Sequence, residues 1–203
     1  GKPADSDFLP ALAGVFDSGQ AFMDKVAALD RTIDDHPRYA GLREILFDLL
    51  LMNFFAADAA KLEEDYLETE EWEAIEEQTI DRGTELLNLL LYLRECMDEG
   101  IEPELDDYLR EFLLVDEDEF QDEYRIYEPV IAGQILVESS YGEIAKTAKT
   151  LPGDEELAEL FYPMLSFFYE QQPDPAALEE FKANAPDPAF DLAVYQLIIQ
   201  YHQ

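Results

Sequence analysis

From Thr69 to Gly100, the positions Trp72, Ile75, Thr79, Arg82, Leu86, Leu89, Leu93 and Cys96 follow one another at spacings of three and four, and Arg82 alone clearly breaks their apolar character. That rhythm is the stripe of one helical face. Thr69 is suited to cap the start, with Glu70 and Glu71 in a first turn whose dipole favours negative charge, and Gly100 is suited to the stop. Because the stripe stays in phase from end to end, it predicts one continuous helix. The alternative is a break near Gly83, with Thr84 opening a second, antiparallel helix.

The rest of the chain also reads as helical. Leu12, Val15, Phe16, Phe22, Val26 and Leu29, interrupted by Asp17-Ser18-Gly19, predict a short helix, a cap at Ser18 and a second helix. Pro37 suits a first helical turn, and residues 38–64 predict a long helix. Its middle, residues 45–55, is apolar on nearly every side, so it belongs at the centre of a core. Asp48 and Asn53 within it then require hydrogen-bond partners. Residues 103–114 predict a short helix, and Asp116-Glu117-Asp118-Glu119 leads into another that runs past Pro129, with a kink or break there. Residues 129–137 are read as helix rather than strand, since no second strand is evident to pair with them. Pro152-Gly153-Asp154, Asp174-Pro175 and Asp187-Pro188 mark helix starts, predicting helices at 155–171 with a bend at Pro163, 176–184 and 188–202.

These elements predict an all-α fold, an irregular bundle of about seven to nine helices in a single domain spanning 1–203. A helical-hairpin repeat array is the alternative, suggested by Glu64-Asp65-Tyr66-Leu67 and its echo Asp106-Asp107-Tyr108-Leu109 at a spacing of 42 residues. The dense aromatics Phe161, Tyr162, Phe167, Phe168 and Tyr169 are expected in the core, with an apolar pocket among these helices left open. No stretch approaches the ~20 apolar residues of a membrane-spanning helix.

Charge changes the picture. Forty-eight acidic residues against thirteen basic ones leave a formal charge of −35. Residues 1–62 carry −4, 63–128 carry −22 and 129–203 carry −9, so the acidity is concentrated in the middle third. Nucleic acids and anionic membranes need clusters of Lys and Arg that are absent, whereas basic proteins and cations are attracted to such a field. A surface adapted to salt, or simply to solubility, is the bland counterpart.

Candidate chemistry is sparse. His36 and His202 read as surface residues, and neither has a zinc or di-iron spacing around it. Cys96 stands alone beside Glu95, Asp98 and Glu99, so it is read as a small helix-face residue and not a nucleophile. The glycines are scattered, giving no phosphate loop, and the run at 116–121 lacks the ligand and glycine of a calcium loop. Glu73-x-x-Glu76 followed by Glu95-x-x-Asp98 is similar to the ExxE…ExxD signature of all-α nucleoside triphosphate pyrophosphatases. That resemblance implies magnesium held between helices and hydrolysis of phosphorylated small molecules. In one continuous helix, however, Glu76 and Glu95 are about 28 Å apart and share no metal.

The reading favoured by the sequence is therefore a non-catalytic protein–protein interaction module without a cofactor. Its partner is expected to be a basic protein, bound by Glu70, Glu71, Glu73, Glu76, Glu77, Asp116, Glu117, Asp118 and Glu119. On the first five, charge recurs about once per 2.4 Å of helix axis, compared with ~1.7 Å on duplex DNA. A cytoplasmic location is expected, with export by a signal peptide absent from this chain as the alternative.

Overall fold

Helix formation follows the apolar spacing through most of the chain. The computed structural model describes residues 6–58, 61, 64–116, 119–120, 126–153 and 157–203. The architecture is all-α and multi-helical, and its contacts divide it into two compact units, residues 1–87 and 88–203.

The first unit opens with α1 (Phe8–Phe16) and α2 (Phe22–Asp34). On α2, Phe22, Val26, Leu29 and Ile33 are buried at helical spacing. The Ser18 hydroxyl donates to Val15 O at 3.0 Å, so it closes α1; the cap position of α2 is Ala21, not Ser18 as expected. Pro37 begins a 3₁₀ turn (Pro37–Leu42) that leads into α3 (Arg43–Ala56). This helix is shorter than the expected 38–64 but buried nearly all round, including Leu46, Phe47, Leu50, Leu51 and Phe55. Asn53 is exposed and therefore needs no protein partner, whereas Asp48 is only 1% exposed and has one.

After the four-residue helix α4 (Glu64–Leu67), α5 (Glu70–Thr79) starts at Thr69, whose hydroxyl accepts from Trp72 N at 3.2 Å. Trp72 and Ile75 hold it to the core. The continuous 69–100 helix is not formed. Gly83 has φ +97°, a backbone state that interrupts the helix, and α6 (Leu86–Glu99) begins afresh beyond it. The stripe is nonetheless right on each side of the break. Ile75 is buried on α5, and Leu86, Leu89, Leu93 and Cys96 are buried on α6.

The second unit continues α6 to Gly100 (φ +69°), where Ile101 N donates to Cys96 O in a six-to-one C-terminal closure. Next comes α7 (Leu105–Leu113). Where the helix expected from Asp116 past Pro129 was to begin, β1 (Leu114–Asp116) pairs antiparallel with β2 (Glu119–Phe120), and residues 121–125 of that expected helix lie outside the described residues. At the expected kink or break, Pro129 occupies the first turn of a new helix, α8 (Glu128–Ala132), where its missing N–H costs nothing. A 3₁₀ turn (Gln134–Glu138) follows, so 129–137 is helical as expected. The sequence reading missed α9 (Tyr141–Ala148), although Ser140-x-x-Glu143 announces it: Ser140 Oγ accepts from Glu143 N.

Last come α10 (Ala158–Tyr169), α11 (Pro175–Asn184) and α12 (Pro188–His202). Pro163 lies inside α10, and Asp174 and Asp187 cap α11 and α12 as expected. The expected Asp154 start lies outside the described residues. The two similar tetrapeptides fall in unlike elements, one being the whole of α4 and the other part of α7.

Tyrosine hydroxyls tie this second unit together. Phe181 stacks between Tyr162 and Tyr195, with ring centroids 4.7 and 4.3 Å away. The Tyr162 hydroxyl donates to Phe181 O at 2.7 Å, and Tyr195 donates to the carbonyl of Glu170, the residue that follows α10, at 2.6 Å. Tyr92 both accepts from Glu104 N and donates to Glu104 O, fastening the turn that precedes α7.

Two substitutions test these local accounts. Gly83→Ala should destabilise the chain by about 1–3 kcal/mol, because it forces a Cβ into a positive-φ site, and the shift should show in the denaturant midpoint. Tyr195→Phe strands the Glu170 carbonyl and should cost about 1–3 kcal/mol by the same measurement.

Candidate functional site

Charge in the first unit is organised around the turn that breaks the helix. Arg82 presents its guanidinium fork to Asp30 of α2, with contacts at 2.8 and 3.0 Å. It also reaches Glu44 of α3 at 3.5 Å and lies over the Phe47 ring, 4.7 Å from its centroid. Arg43 joins the same group, bonding Asp30 at 2.9 Å and Asp34 at 2.5 Å. Partial burial alone pushes the Asp30 carboxyl upward, but the bonds from Arg82 and Arg43 hold it below its usual range.

The turn's backbone is held by two further carboxylates one helical turn apart on α3. Gly83 N donates to Glu44 at 2.9 Å, and Thr84 donates to Asp48 Oδ2 through its N–H at 2.9 Å and its hydroxyl at 2.5 Å. Asp48 therefore does for α6 from another helix what an N-cap does locally. Burial pushes its pKa up to about 7; the Thr84 bonds and the Leu87 amide oppose that rise, and Glu44 adds to it. The approach is so close that a Cβ at Gly83 falls 2.7 Å from Asp48 Oδ1. The sequence marked Asp48 as needing a partner and Arg82 as out of place in the stripe, but gave no sign that one turn serves both.

Glu70, Glu71, Glu73, Glu76 and Glu77, all on α5, are exposed, and none forms an ion pair among the described residues. Glu71 stands one helical turn before Ile75, the buried residue of the same helix. Glu71 also borders a groove of about 450 Å³ within this unit, whose floor includes Phe22, Leu50, Phe54 and Ile75. Two lysines border the same groove and are turned back onto the unit. Lys25 donates to Phe16 O at 2.7 Å, and the Lys61 ammonium lies 3.7 Å from the Phe54 ring centroid.

The remaining expected site residues are not brought onto α5. Asp116 and Glu119 belong to the second unit, where they are paired in register on β1 and β2, and Glu117 and Asp118 lie outside the described residues. Glu73 and Glu76 lie in the first unit on α5, Glu95 and Asp98 in the second on α6, and Asp98 accepts from Arg94 at 3.2 Å. Among the described residues, no group of three or more His, Cys, Asp or Glu side chains is placed to hold a metal ion. Neither histidine is a plain surface residue. Both are half-buried, with His36 Nδ1 2.8 Å from Thr32 O and His202 edge-on to Phe167. Cys96 is buried on its helix face.

The second unit has its own buried carboxylate. Asp191, 3% exposed, accepts from Asp187 N at 2.8 Å while Asp187 caps α12, a reciprocal closure of one helix start. Burial raises its pKa to about 6, against the Asp187 backbone bond. Among the described residues, no helix is long and apolar enough to cross a membrane. No protein-family model, curated protein or solved structure matches the chain.

The pKa of Asp48 yields a signed prediction. Raised above its unfolded value, Asp48 holds a proton in the folded state between about pH 4 and pH 7 that the unfolded chain has released. Its contribution to stability is therefore lost as pH rises through that window. Asp48→Asn removes this loss, so the stability of the variant relative to the parent should improve by about 2–3 kcal/mol between pH 5 and pH 8. Urea denaturation at the two pH values checks it.

Proposed function

We propose that the chain is a non-catalytic interaction module that binds a basic protein partner through α5. The observation that carries this reading is the state of its five glutamates: all are exposed, and none is neutralised by an ion pair among the described residues. A helix that only needed solvation would serve equally with compensated charge. Here the field is left open to solvent, where it steers a cationic partner toward the protein.

The groove beside Glu71 supports the same reading by supplying an apolar complement to the charge. Interfaces gain most of their affinity from a buried anchor, with charged contacts at the rim setting orientation and approach. A partner segment that places an aliphatic or aromatic side chain over Phe22, Phe54 and Ile75 brings its flanking Lys or Arg residues to α5.

Replacing Glu70, Glu71, Glu73, Glu76 and Glu77 together by Gln should leave the circular dichroism spectrum unchanged, since all five are exposed. It should weaken capture of basic proteins from lysate at least tenfold. Capture by the parent chain should also collapse at about 0.5 M salt, where the Debye length is only a few ångströms. Partners that survive both changes would eliminate the electrostatic reading.

A further inference from the structure

The second unit carries a groove of about 630 Å³ between the α10–α11 turn and α12, within the size range of sites that bind small or peptidic ligands. Its chemistry is unlike the rest of the chain. Five of the nine glutamines in the whole sequence line it: Gln171, Gln172, Gln196, Gln200 and Gln203. No lining side chain is Asp, Glu, Lys or Arg, in a protein with 48 acidic residues. We propose that this groove binds an uncharged, extended peptide segment of a partner protein, read through its backbone by the glutamine amides.

Each carboxamide offers two N–H donors and one acceptor, the same functions that an extended backbone exposes in alternation. A row of such groups satisfies peptide N–H and C=O alike. Gln171 is already oriented for this: its Nε2 donates to Pro103 O at 2.7 Å, fixing the plane of the amide and leaving its oxygen to accept. Leu178 and Ile199 add apolar surface for a side chain of the bound segment.

The alternatives fit less well. Nucleobases are held largely by stacking on aromatic rings, and no Phe, Tyr or Trp lines this groove, His202 supplying its one ring. An anion is opposed by the net charge of −35, and a cation finds no carboxylate side chain in the lining. His202 adds no charge at neutral pH, because burial holds its imidazole below the usual range.

The probe is the blocked peptide acetyl-Ser-Gln-Leu-Gln-Ser-amide, added to the full ¹⁵N-labelled chain and followed through its glutamine side-chain amide resonances. The expected result is saturable shifts at Gln196 and Gln200, with an affinity that changes less than about twofold between low and 0.5 M salt. Q196A/Q200A, at two exposed positions, should lose at least tenfold in affinity with an unchanged melting curve. Gln196→Glu, which keeps the shape but adds a charge, should weaken the neutral peptide as well. The proposal is overturned by the absence of saturable shifts, by an equal response to maltose or uridine, or by peptide binding that both variants leave intact. The α5 glutamine variant should bind the peptide as the parent does, which separates this site from the acidic one.

Discussion

Scarcity of cations is the constraint on which the first unit is built. A chain with 48 acids and 13 bases cannot neutralise its carboxylates pairwise, so its arginines matter most where acids converge. Arg82 and Arg43 are two such cases, sharing Asp30 and reaching Glu44 and Asp34 between them. Exposed ion pairs contribute little singly, but Arg82 is largely sheltered, makes a forked contact and packs on Phe47. Its position fixes the turn, and the turn delivers Gly83 and Thr84 to the two carboxylates of α3. Removing Arg82 would leave Asp30, Glu44 and Asp48 facing one another across a site from which water is partly excluded.

The second unit solves a different problem. Its core is aromatic, and among the described residues six tyrosines are buried there, each bringing a polar hydroxyl into an apolar interior. Three of those hydroxyls find backbone carbonyls, at Glu104, Phe181 and Glu170, at or near the ends of helices. The Glu170 carbonyl lies just past the end of α10, where helix ends leave carbonyls without intrahelical partners, whereas the carbonyls of Glu104 and Phe181 also accept from Tyr108 N and Ala185 N. A fourth hydroxyl, that of Tyr141, donates to Tyr195 at 2.9 Å, since the Tyr195 proton is taken by Glu170 O.

Much of this architecture was legible in the sequence because short-range patterns dominate it. The caps at Thr69, Asp174 and Asp187 and the stop at Gly100 depend on a few neighbouring residues, and all formed as read. The break at Gly83 was harder to see, since the stripe on α5 happens to be in phase with that on α6. What decides it is tertiary: Glu44 and Asp48, nearly forty residues earlier, supply acceptors that reward an open backbone. Periodicity cannot report such a partner. The strands at 114–116 and 119–120 were misread for a related reason, because a run of acids resembles a helical first turn. The exposure of the α5 glutamates followed directly from the apolar stripe, whereas the glutamine groove joins residues from the α10–α11 turn and α12 that are unremarkable in sequence.

Gly83 and Asp48 also bear on how this chain can change over evolutionary time. Their approach makes the two positions epistatic: a residue acceptable at one depends on what occupies the other. Asn tolerates a positive φ better than other side chains, yet at position 83 its Cβ would still meet the Asp48 carboxylate. A shorter residue at 48 would have to come first, and that step strands the Thr84 amide at the start of α6. Each single step crosses a disfavoured intermediate, so the pair is expected to be kept or replaced together, leaving a correlated signature among any descendants of this sequence.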